Sequence, residues 1–419
     1  MQKSKRSKGS PEHLPARWSI SREPPARGSR AFETRAVHPP APSRQEGLPM
    51  APLLDSSSTY SFSDTATFAR ASRAKTGAGY VYSRWANPTV DAFEAALADL
   101  EGTEAAEAFA SGMGAISSVF LALCSSGDRV VATRQLYGNT YSLLQERLPR
   151  YGITATFCDH DDHTAIAAAL RGAKLLYCET IGNPKVQVAD LPHLAALASE
   201  AGIPLVVDNT FASPALCRPI AHGASIVIHS ATKFIGGHHD LLGGVVCASA
   251  QMLEPVAEVA RDLGPTLAPF NAWLGLRGIA TLPLRVERSS TTALKVARAL
   301  QRYDGIEAVY YPSLESSPSY RLAGALMGGR GGGTLAFEVR GGRERAGAFQ
   351  DALELILPAA SLGGTHSLIV HAAGVTHTQL GPDELVSAGI SEGLCRLSVG
   401  LEDPGDLIAD LTAALAATG

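Results

Sequence analysis

Charge is scarce in this chain and nearly balanced: 18% of its 419 residues are Asp, Glu, Lys or Arg, and the formal net charge is −4. That removes the electrostatic case for a nucleic-acid or membrane partner. Aromatics are few, at 6%, and no uninterrupted apolar stretch approaches the ~20 residues that a spanning helix needs. The six cysteines, Cys124, Cys158, Cys178, Cys217, Cys247 and Cys395, include no Cys-x-x-Cys spacing, and several lie in apolar runs such as Leu175-Leu-Tyr-Cys178. They read as buried free thiols rather than a disulfide framework, which points to a reducing cytoplasm. The first 30 residues lack apolar periodicity: eight Lys/Arg stand against two acids, with Pro and Ser. Such a segment buries too little surface to order itself, and it lacks the apolar core of a secretory signal. Residues 1–33 are therefore expected to be a disordered basic tail.

What remains is ordinary globular material, 45% hydrophobic, and too long for one hydrophobic core. Short β-rich runs at 128–132, 153–157, 173–177, 204–207, 225–228 and 244–247 read as strands. Between them, 113–124, 140–148, 163–170 and 191–201 read as helices. Repeated strand–helix units predict an α/β fold, with a mostly parallel central sheet flanked by helices and an antiparallel last strand. After a helical run beginning near Pro283 the pattern changes. Thr334–Val339 and Leu394–Val399 alternate like half-exposed strands, and Asp406–Ala416 reads as a closing helix. A ligand-binding domain over 105–285 and a smaller C-terminal α+β domain over 286–419 follow.

Two strand ends carry the chemistry. Leu205-Val-Val runs into Asp208, and Ile226-Val-Ile runs into His229, Ser230, Thr232 and Lys233. In open α/β sheets ligands sit at strand ends, so an aspartate and a lysine are delivered to one place. Pyridoxal phosphate needs this pair, a lysine for the imine and a carboxylate that keeps the pyridine nitrogen protonated. Ser111-Gly-Met-Gly-Ala115 opens an apolar helix, whose first N–H groups and dipole suit a phosphate. Ser230 and Thr232 offer further hydroxyl donors. Arg84, in Tyr82-Ser-Arg84, suits bidentate phosphate recognition, and Tyr137 suits stacking on a flat ring. Arg396, inside an apolar strand, is either a structural ion pair or a clamp for a substrate carboxylate. Gly328-Gly-Arg-Gly-Gly-Gly333 precedes a strand rather than a helix, so it reads as a flexible connector near the site. His238-His239-Asp240 reads as a polar loop, not a metal site.

Together these segments resemble the Cys/Met-metabolism, or trans-sulfuration, family of pyridoxal-phosphate enzymes. Its members include cystathionine γ-synthase, cystathionine γ-lyase, methionine γ-lyase and the O-acylhomoserine sulfhydrylases. The resemblance runs from Thr34-Arg-Ala-Val-His38 to the end of the chain. It rests on Tyr-Ser-Arg-x-x-Asn-Pro-Thr at 82–89, Ser-Gly-Met-Gly-Ala-Ile at 111–116 and Val-Asp-Asn-Thr-Phe at 207–211. His-Ser-Ala-Thr-Lys at 229–233, Ser-Leu-Gly-Gly at 361–364 and Arg-Leu-Ser-Val-Gly-Leu-Glu-Asp at 396–403 complete it. The resemblance implies the aspartate-aminotransferase-like fold type I, with residues 34–104 forming an arm that serves the neighbouring subunit's site. It implies that Lys233 carries pyridoxal 5'-phosphate and shuttles protons, Asp208 pairs with the ring nitrogen, Tyr137 stacks on the ring and Asn183 meets the ring hydroxyl. Gly112, Met113, Ser230 and Thr232 would hold the phosphate. Tyr82 and Arg84 would reach it from the second subunit of a homodimer, itself half of a homotetramer. Ser361 and Arg396 would take the substrate's α-carboxylate, and Tyr82 or Tyr137 would assist proton transfer.

Departures from the family pattern bear on substrate. Cystathionine-handling members carry an acidic residue just before Tyr-Ser-Arg and a glutamate shortly after Ser-Leu-Gly, where this chain has Val81 and His366. Methionine γ-lyases favour a cysteine after Tyr-Gly, where this chain has Asn139. The leading expectation is γ-elimination from a methionine-, homocysteine- or cystathionine-type substrate, giving a 2-oxo acid, ammonia and a thiol. The alternative is γ-replacement on an O-acylhomoserine. An aminotransferase or a non-catalytic relative ranks behind both.

Overall fold

Seven strands build the larger of two sheets in a computed structural model that describes residues 30–40, 49–74, 79–376, 385 and 389–419. The expected tail, 1–33, lies outside the described residues up to position 29, and a helix, Phe32–Val37, begins within its last two positions. The strands are β1 (Ala105–Phe109), β2 (Arg129–Thr133), β3 (Thr154–Cys158), β4 (Leu175–Glu179), β5 (Leu205–Asp208), β6 (Ile226–Ser230) and β7 (Gly244–Ala248). Their order across the sheet is β1-β7-β6-β5-β4-β2-β3. Neighbours from β6 to β3 pair in parallel, while β7 is antiparallel to both β1 and β6.

The central strands β4 and β5 are buried at every position, as expected of parallel strands covered on both faces. Sequence patterning passed over β1. Its Ala105-Ala-Glu-Ala-Phe109 favours helix locally, but pairing with β7 from Ala105↔Ala248 to Phe109↔Gly244 overrides that preference. The helix expected over 140–148 divides into an α-turn, Gly138–Ser142, a π-turn, Leu143–Arg147, and a 3-10 turn, Leu148–Tyr151. Pro149 lacks the N–H that a continuing α-helix would need.

Helix Pro88–Glu101 anchors the start of the large domain. Asn87 caps it by accepting the N–H groups of Thr89 and Val90, proline fills its first turn, and Gly102 ends it at φ 82°. Phe93, Leu97 and Leu100 are fully buried beneath it, each contributing roughly 2 kcal/mol of transfer free energy.

The second sheet holds β8 (Ile306–Tyr310), β9 (Thr334–Val339), β10 (Leu357–Pro358), β11 (Leu368–His371) and β12 (Leu394–Ser398), in the order β10-β11-β12-β9-β8. Helices Leu282–Leu300 and Pro404–Ala417 pack beside it over a core that includes Phe337, Phe349 and Leu411. The glycine run before β9 corrects part of an expectation: Gly328 and Gly329 are exposed, as a loose connector would be, but Gly331 to Gly333 are packed. A Cβ on Gly331 would lie 2.4 Å from the Tyr311 ring, and one on Gly333 would lie 2.7 Å from the Ser289 hydroxyl. The Tyr311 hydroxyl donates to the Gly332 carbonyl at 2.8 Å. These glycines admit close approach.

Candidate active site

Strands β2, β4, β5 and β6 run the same way, so their carboxyl ends open on one edge of the sheet, where α/β proteins bind ligands. β4 ends on Glu179 and β5 on Asp208, paired in register. β6 ends on Ser230, three positions before Lys233. The small sheet supplies Arg396 from β12, and the turn before β11 supplies Ser361.

The Asp208 carboxylate is buried. It accepts the Thr210 N–H at 2.9 Å and the hydroxyl of Tyr177, on β4, at 3.4 Å. Burial pushes its carboxyl above the ordinary range, with the Thr210 bonds pulling the other way. A cation placed against such a group stabilises its ionised form. The Lys233 amine donates to the Ser361 hydroxyl at 2.9 Å. Burial, followed by the charge of Arg396, lowers that amine from 10.5 to about 8. Ser361 holds φ 107°, a left-handed strain that its surroundings must impose.

Arg396 is also buried, and burial lowers its guanidinium to about 10. It donates to Asn183 Oδ1 at 2.9 Å and to the Ser361 carbonyl at 3.3 Å, and it stands 5.7 Å from the centroid of the Phe211 ring. The sequence left open whether this arginine was an ion pair or a clamp. Among the described residues it has no carboxylate partner, and its Nε is unpartnered. The Nδ2 of Asn183 is likewise buried without a partner, which is costly unless something else accepts from it.

Tyr137 follows β2. Its N–H donates to Glu179 Oε1 at 2.6 Å and its hydroxyl accepts from Asn139 at 3.1 Å, while its ring is 39% exposed. Burial first, and then Asp208, push the Glu179 carboxyl well up. The sequence reading did not single out Glu179, Tyr177 or Thr210. Glu179 carried the same signal as Asp208, an acid closing an apolar strand.

Helix Gly112–Leu123 points its amino end at the same edge, capped by Ser111, which accepts the Gly114 N–H at 3.0 Å. A Cβ on Gly112 would lie 2.7 Å from that of Ser230, so only glycine lets the helix start beside this hydroxyl. Met113 lies in the same turn, its sulfur 4.0 Å from the Thr140 hydroxyl. The Thr232 hydroxyl accepts the Gly243 N–H at 3.1 Å, and the Ser230 N–H donates to Thr210 Oγ1 at 2.7 Å. Two expected residues stay apart from this cluster. Tyr82 and Arg84 are exposed, and Arg84 lies 5.6 Å from the Tyr82 ring centroid and donates to the Arg261 carbonyl.

These residues fit pyridoxal 5'-phosphate. The buried Asp208 carboxylate suits a cation, the buried Asn183 Nδ2 lacks an acceptor, the Lys233 amine is lowered to about 8, and the amino end of helix Gly112–Leu123 starts beside Ser230. A lysine and an aspartate at the strand ends of a mixed, helix-flanked sheet, with a smaller sheet alongside, define a pyridoxal-phosphate enzyme of fold type I. Residues 33–416 match the family model described as Cys/Met metabolism PLP-dependent enzyme, and the chain belongs to that family. It is 42% identical to the O-succinylhomoserine sulfhydrylase of Pseudomonas aeruginosa, over 92% of this chain and 96% of that one. It is 40% identical to the L-methionine gamma-lyase of Pseudomonas putida, over 92% of this chain and 98% of that one. Among solved structures it resembles a Campylobacter jejuni crystal structure described as an O-acetylhomoserine (thiol)-lyase, which contains N'-pyridoxyl-lysine-5'-monophosphate. That match has a TM-score of 0.88 and 32% identity, covering 92% of this chain and all of that one. The protein is a PLP-dependent enzyme. No helix among the described residues is long and apolar enough to cross a membrane.

Proposed function

We propose that the chain acts at the γ-carbon of a sulfur-pathway amino acid, eliminating the γ-substituent to leave a 2-oxo acid and ammonia. The observation that carries this reading is the cluster of Lys233, Ser361 and Arg396, with the amine 2.9 Å from the serine hydroxyl and the guanidinium donating to that serine's carbonyl. Arg396 and Ser361 take the substrate α-carboxylate, which fixes the Cα–H bond relative to the lysine. Pyridoxal phosphate, when bound, supplies the electron sink for carbanion character at Cα and Cβ. Lys233 holds the cofactor and then, as a free amine lowered to about 8, takes and returns protons at those carbons. Asp208 would pair with the ring nitrogen, Asn183 would donate to the ring hydroxyl and Tyr137 would cover the ring face. Gly112, Met113, Ser230 and Thr232 would bind the phosphate from within the chain.

Over one turnover the bond from Cγ to its substituent breaks and one water is consumed. The substituent leaves with a proton, assisted by the Tyr82 or Tyr137 phenol, and the nitrogen departs as ammonia. Tyr82 and Arg84, on the 34–104 arm, serve the site of a neighbouring subunit in a homodimer that pairs again into a tetramer. Their exposure supports this, as does that of Trp85, which is 43% exposed. Six buried free cysteines suit a reducing cytoplasm.

A second reading, γ-replacement on an O-acylhomoserine, is favoured by His366, which suits a distal ammonium less well than a carboxylate would. Incubation with methionine, cystathionine and O-acetylhomoserine, each with and without sulfide, decides the matter. Ammonia and oxo acid released without a nucleophile mark elimination, whereas a thioether or homocysteine formed only with one marks replacement. Amino exchange without ammonia would overturn both.

A further inference from the structure

Each strand end that carries a polar site residue also carries, one position away, a second polar side chain that the chemistry above does not use. Glu179 is followed by Thr180, Asp208 is followed by Asn209, and Ser230 is preceded by His229. Asp208 pairs in register with Ile228, so His229, the next residue of β6, turns to the opposite face of the sheet. Behind that face the second set is bonded together. Thr180 Oγ1 donates to Asn209 Oδ1 at 2.7 Å, and Asn209 Nδ2 donates to Glu101 Oε1 at 3.1 Å and to the Cys217 carbonyl at 2.8 Å. His229 Nε2 meets the same Glu101 oxygen at 2.5 Å. Glu101 is the last residue of helix Pro88–Glu101, and its side chain and that of His229 are almost completely buried.

One oxygen of Glu101 therefore faces two nitrogens. Accepting from Asn209 and from His229 uses both of its lone pairs, which makes Nε2 a donor and Glu101 a carboxylate. Burying a carboxylate without a cation is costly, and among the described residues the ion pair that Glu101 makes is with His229. Glu101 Oε2 and His229 Nδ1 have no hydrogen bond among the described residues. Apolar side chains of similar volume would stabilise three strand ends as well or better, so scaffolding alone does not account for the pair. The titrating group nearest in the chain is Asp208. Burial raises its carboxyl, while the Thr210 bonds and then the field of His229 lower it. Two thiols face Glu101 from the other side, Cys217 after helix Ser213–Leu216 and Cys247 on β7. Burial first and then Glu101 push both up, Glu94 adding at Cys247 and Arg218 opposing at Cys217, so both stay neutral.

We infer that Glu101 and His229 are positioning residues for Asp208: Glu101 holds the imidazole cationic, and that cation, from behind the sheet, keeps the Asp208 carboxylate ionised for the cofactor's ring nitrogen. This rests on the pairing of Asp208 with that nitrogen proposed above. Thr180 and Asn209 tie the pair to the ends of β4 and β5, so the same bonds fix the charge and the spacing of the strand ends.

The test is equilibrium binding of pyridoxal 5'-phosphate to the full-length protein stripped of cofactor, followed by absorbance from pH 6 to pH 9. Glu101→Gln keeps the shape and the accepting oxygen but removes the counter-charge. His229→Gln keeps an N–H near the place of Nε2 and cannot become a cation. Either change makes Asp208 easier to protonate, and a protonated Asp208 no longer pairs with the ring nitrogen. Relative to wild type, binding should weaken about tenfold at pH 6, the equivalent of one pKa unit, and much less at pH 9. Protonation of Lys233 and of the free cofactor cancels in that ratio. The double substitution should lose no more than either single one, because each already discharges the pair. A purely structural role would lower the thermal midpoint and weaken binding by one factor at every pH. That result, or binding equal to wild type throughout, overturns the inference. Should the variants not fold, nitrogen-15 NMR of the histidine-labelled wild-type holoenzyme decides the matter. One imidazolium must persist above pH 8, well past the ordinary histidine range, and its absence overturns the inference equally. Asp208→Asn separates this from the reading beneath it. Wild-type affinity in that protein would sink both, whereas a loss there without a pH-dependent loss in the glutamine variants sinks the inference alone.

Discussion

The two parts of the site are finished to different degrees within one chain. Around Lys233, strands from both sheets converge, and the amine, the Ser361 hydroxyl, the Arg396 guanidinium and the Asn183 amide already bond one another. Around Tyr82 the chain leaves its rings outside. Tyr82 is 42% exposed and Trp85 is 43% exposed, and Met50, Leu53 and Leu54, also between residues 34 and 104, are open too. The first region is preorganised by burial, so its groups have shifted protonation and restricted geometry before any ligand arrives. The second leaves exposed aromatic and apolar residues, which another surface would be suited to bury. On the proposed reading such a site would divide labour, with chemistry on the buried strands and phosphate anchoring shared with the arm.

The sharpest break comes from the rigid side. Lys233→Ala should abolish the yellow absorbance of the covalently held cofactor and cut turnover by roughly 10⁴-fold, since one group supplies both attachment and proton transfer. Unchanged absorbance in that protein would remove the lysine from the site altogether. The arm should respond more mildly and in a different quantity. Arg84→Ala is expected to weaken cofactor retention about tenfold to a hundredfold, as loss of a charged hydrogen bond to phosphate does. Assayed at a cofactor concentration too low to load the Arg84→Ala protein, its mixture with Lys233→Ala, after dissociation and reassembly, should regain activity, up to roughly a quarter of wild type for random pairing in a two-fold dimer. If the mixture at that concentration is no more active than its components, Arg84 does not serve a neighbour's site.

A third effect concerns protonation within the rigid half. Burial and Arg396 bring the lysine from 10.5 to about 8, so the amine loses its proton as pH climbs through 8. The neutral, nucleophilic fraction then rises from about a tenth at pH 7 to about nine-tenths at pH 9. The rate at which pyridoxal phosphate recombines with cofactor-stripped protein should rise about tenfold over that window and level off above it. A rate still climbing steeply past pH 10 would mean that the amine is not desolvated as the geometry implies.

The sequence disclosed the rigid half because burial writes a plain pattern there. An apolar strand that stops at a lone acid or lysine has to deliver that group somewhere, and Asp208 and Lys233 both sit at such stops. Strand β1 escaped because its alanines carry no β signal; only pairing with β7 reveals it. The second half of the glycine run, 331–333, misled for a related reason. Glycine marks both loose chain and tight approach, and the choice depends on Tyr311 and Ser289, which are distant in sequence. Contacts between strands were equally hidden. His229 Nε2 lies 2.5 Å from Glu101 Oε1, 128 residues away, and the facing of Glu179 with Asp208 needs the strand order. The turn that sets Gly364 against His239 joins segments more than a hundred positions apart, so no local pattern announces it.

The smallest expected effect tests how far the preorganisation around Asp208 extends below its surface. Tyr177 lies fully buried on β4 beside Phe120, with ring centroids 5.3 Å apart, and its hydroxyl donates to the outer oxygen of Asp208 across 3.4 Å. That bond is long, and the Thr210 N–H already holds the other oxygen at 2.9 Å. Tyr177→Phe keeps the packing and removes only the donor, so stability should change by less than about 1.5 kcal/mol. The carboxylate then has one donor fewer, its protonated form gains, and pairing with the ring nitrogen weakens. Cofactor affinity should therefore fall about two- to fivefold at pH 7, with the loss growing as pH drops because protonation of Asp208 competes with the pairing. An affinity loss that shrinks at lower pH would mean that the tyrosine acts through packing alone, and that the preorganised half ends at the Thr210 amide.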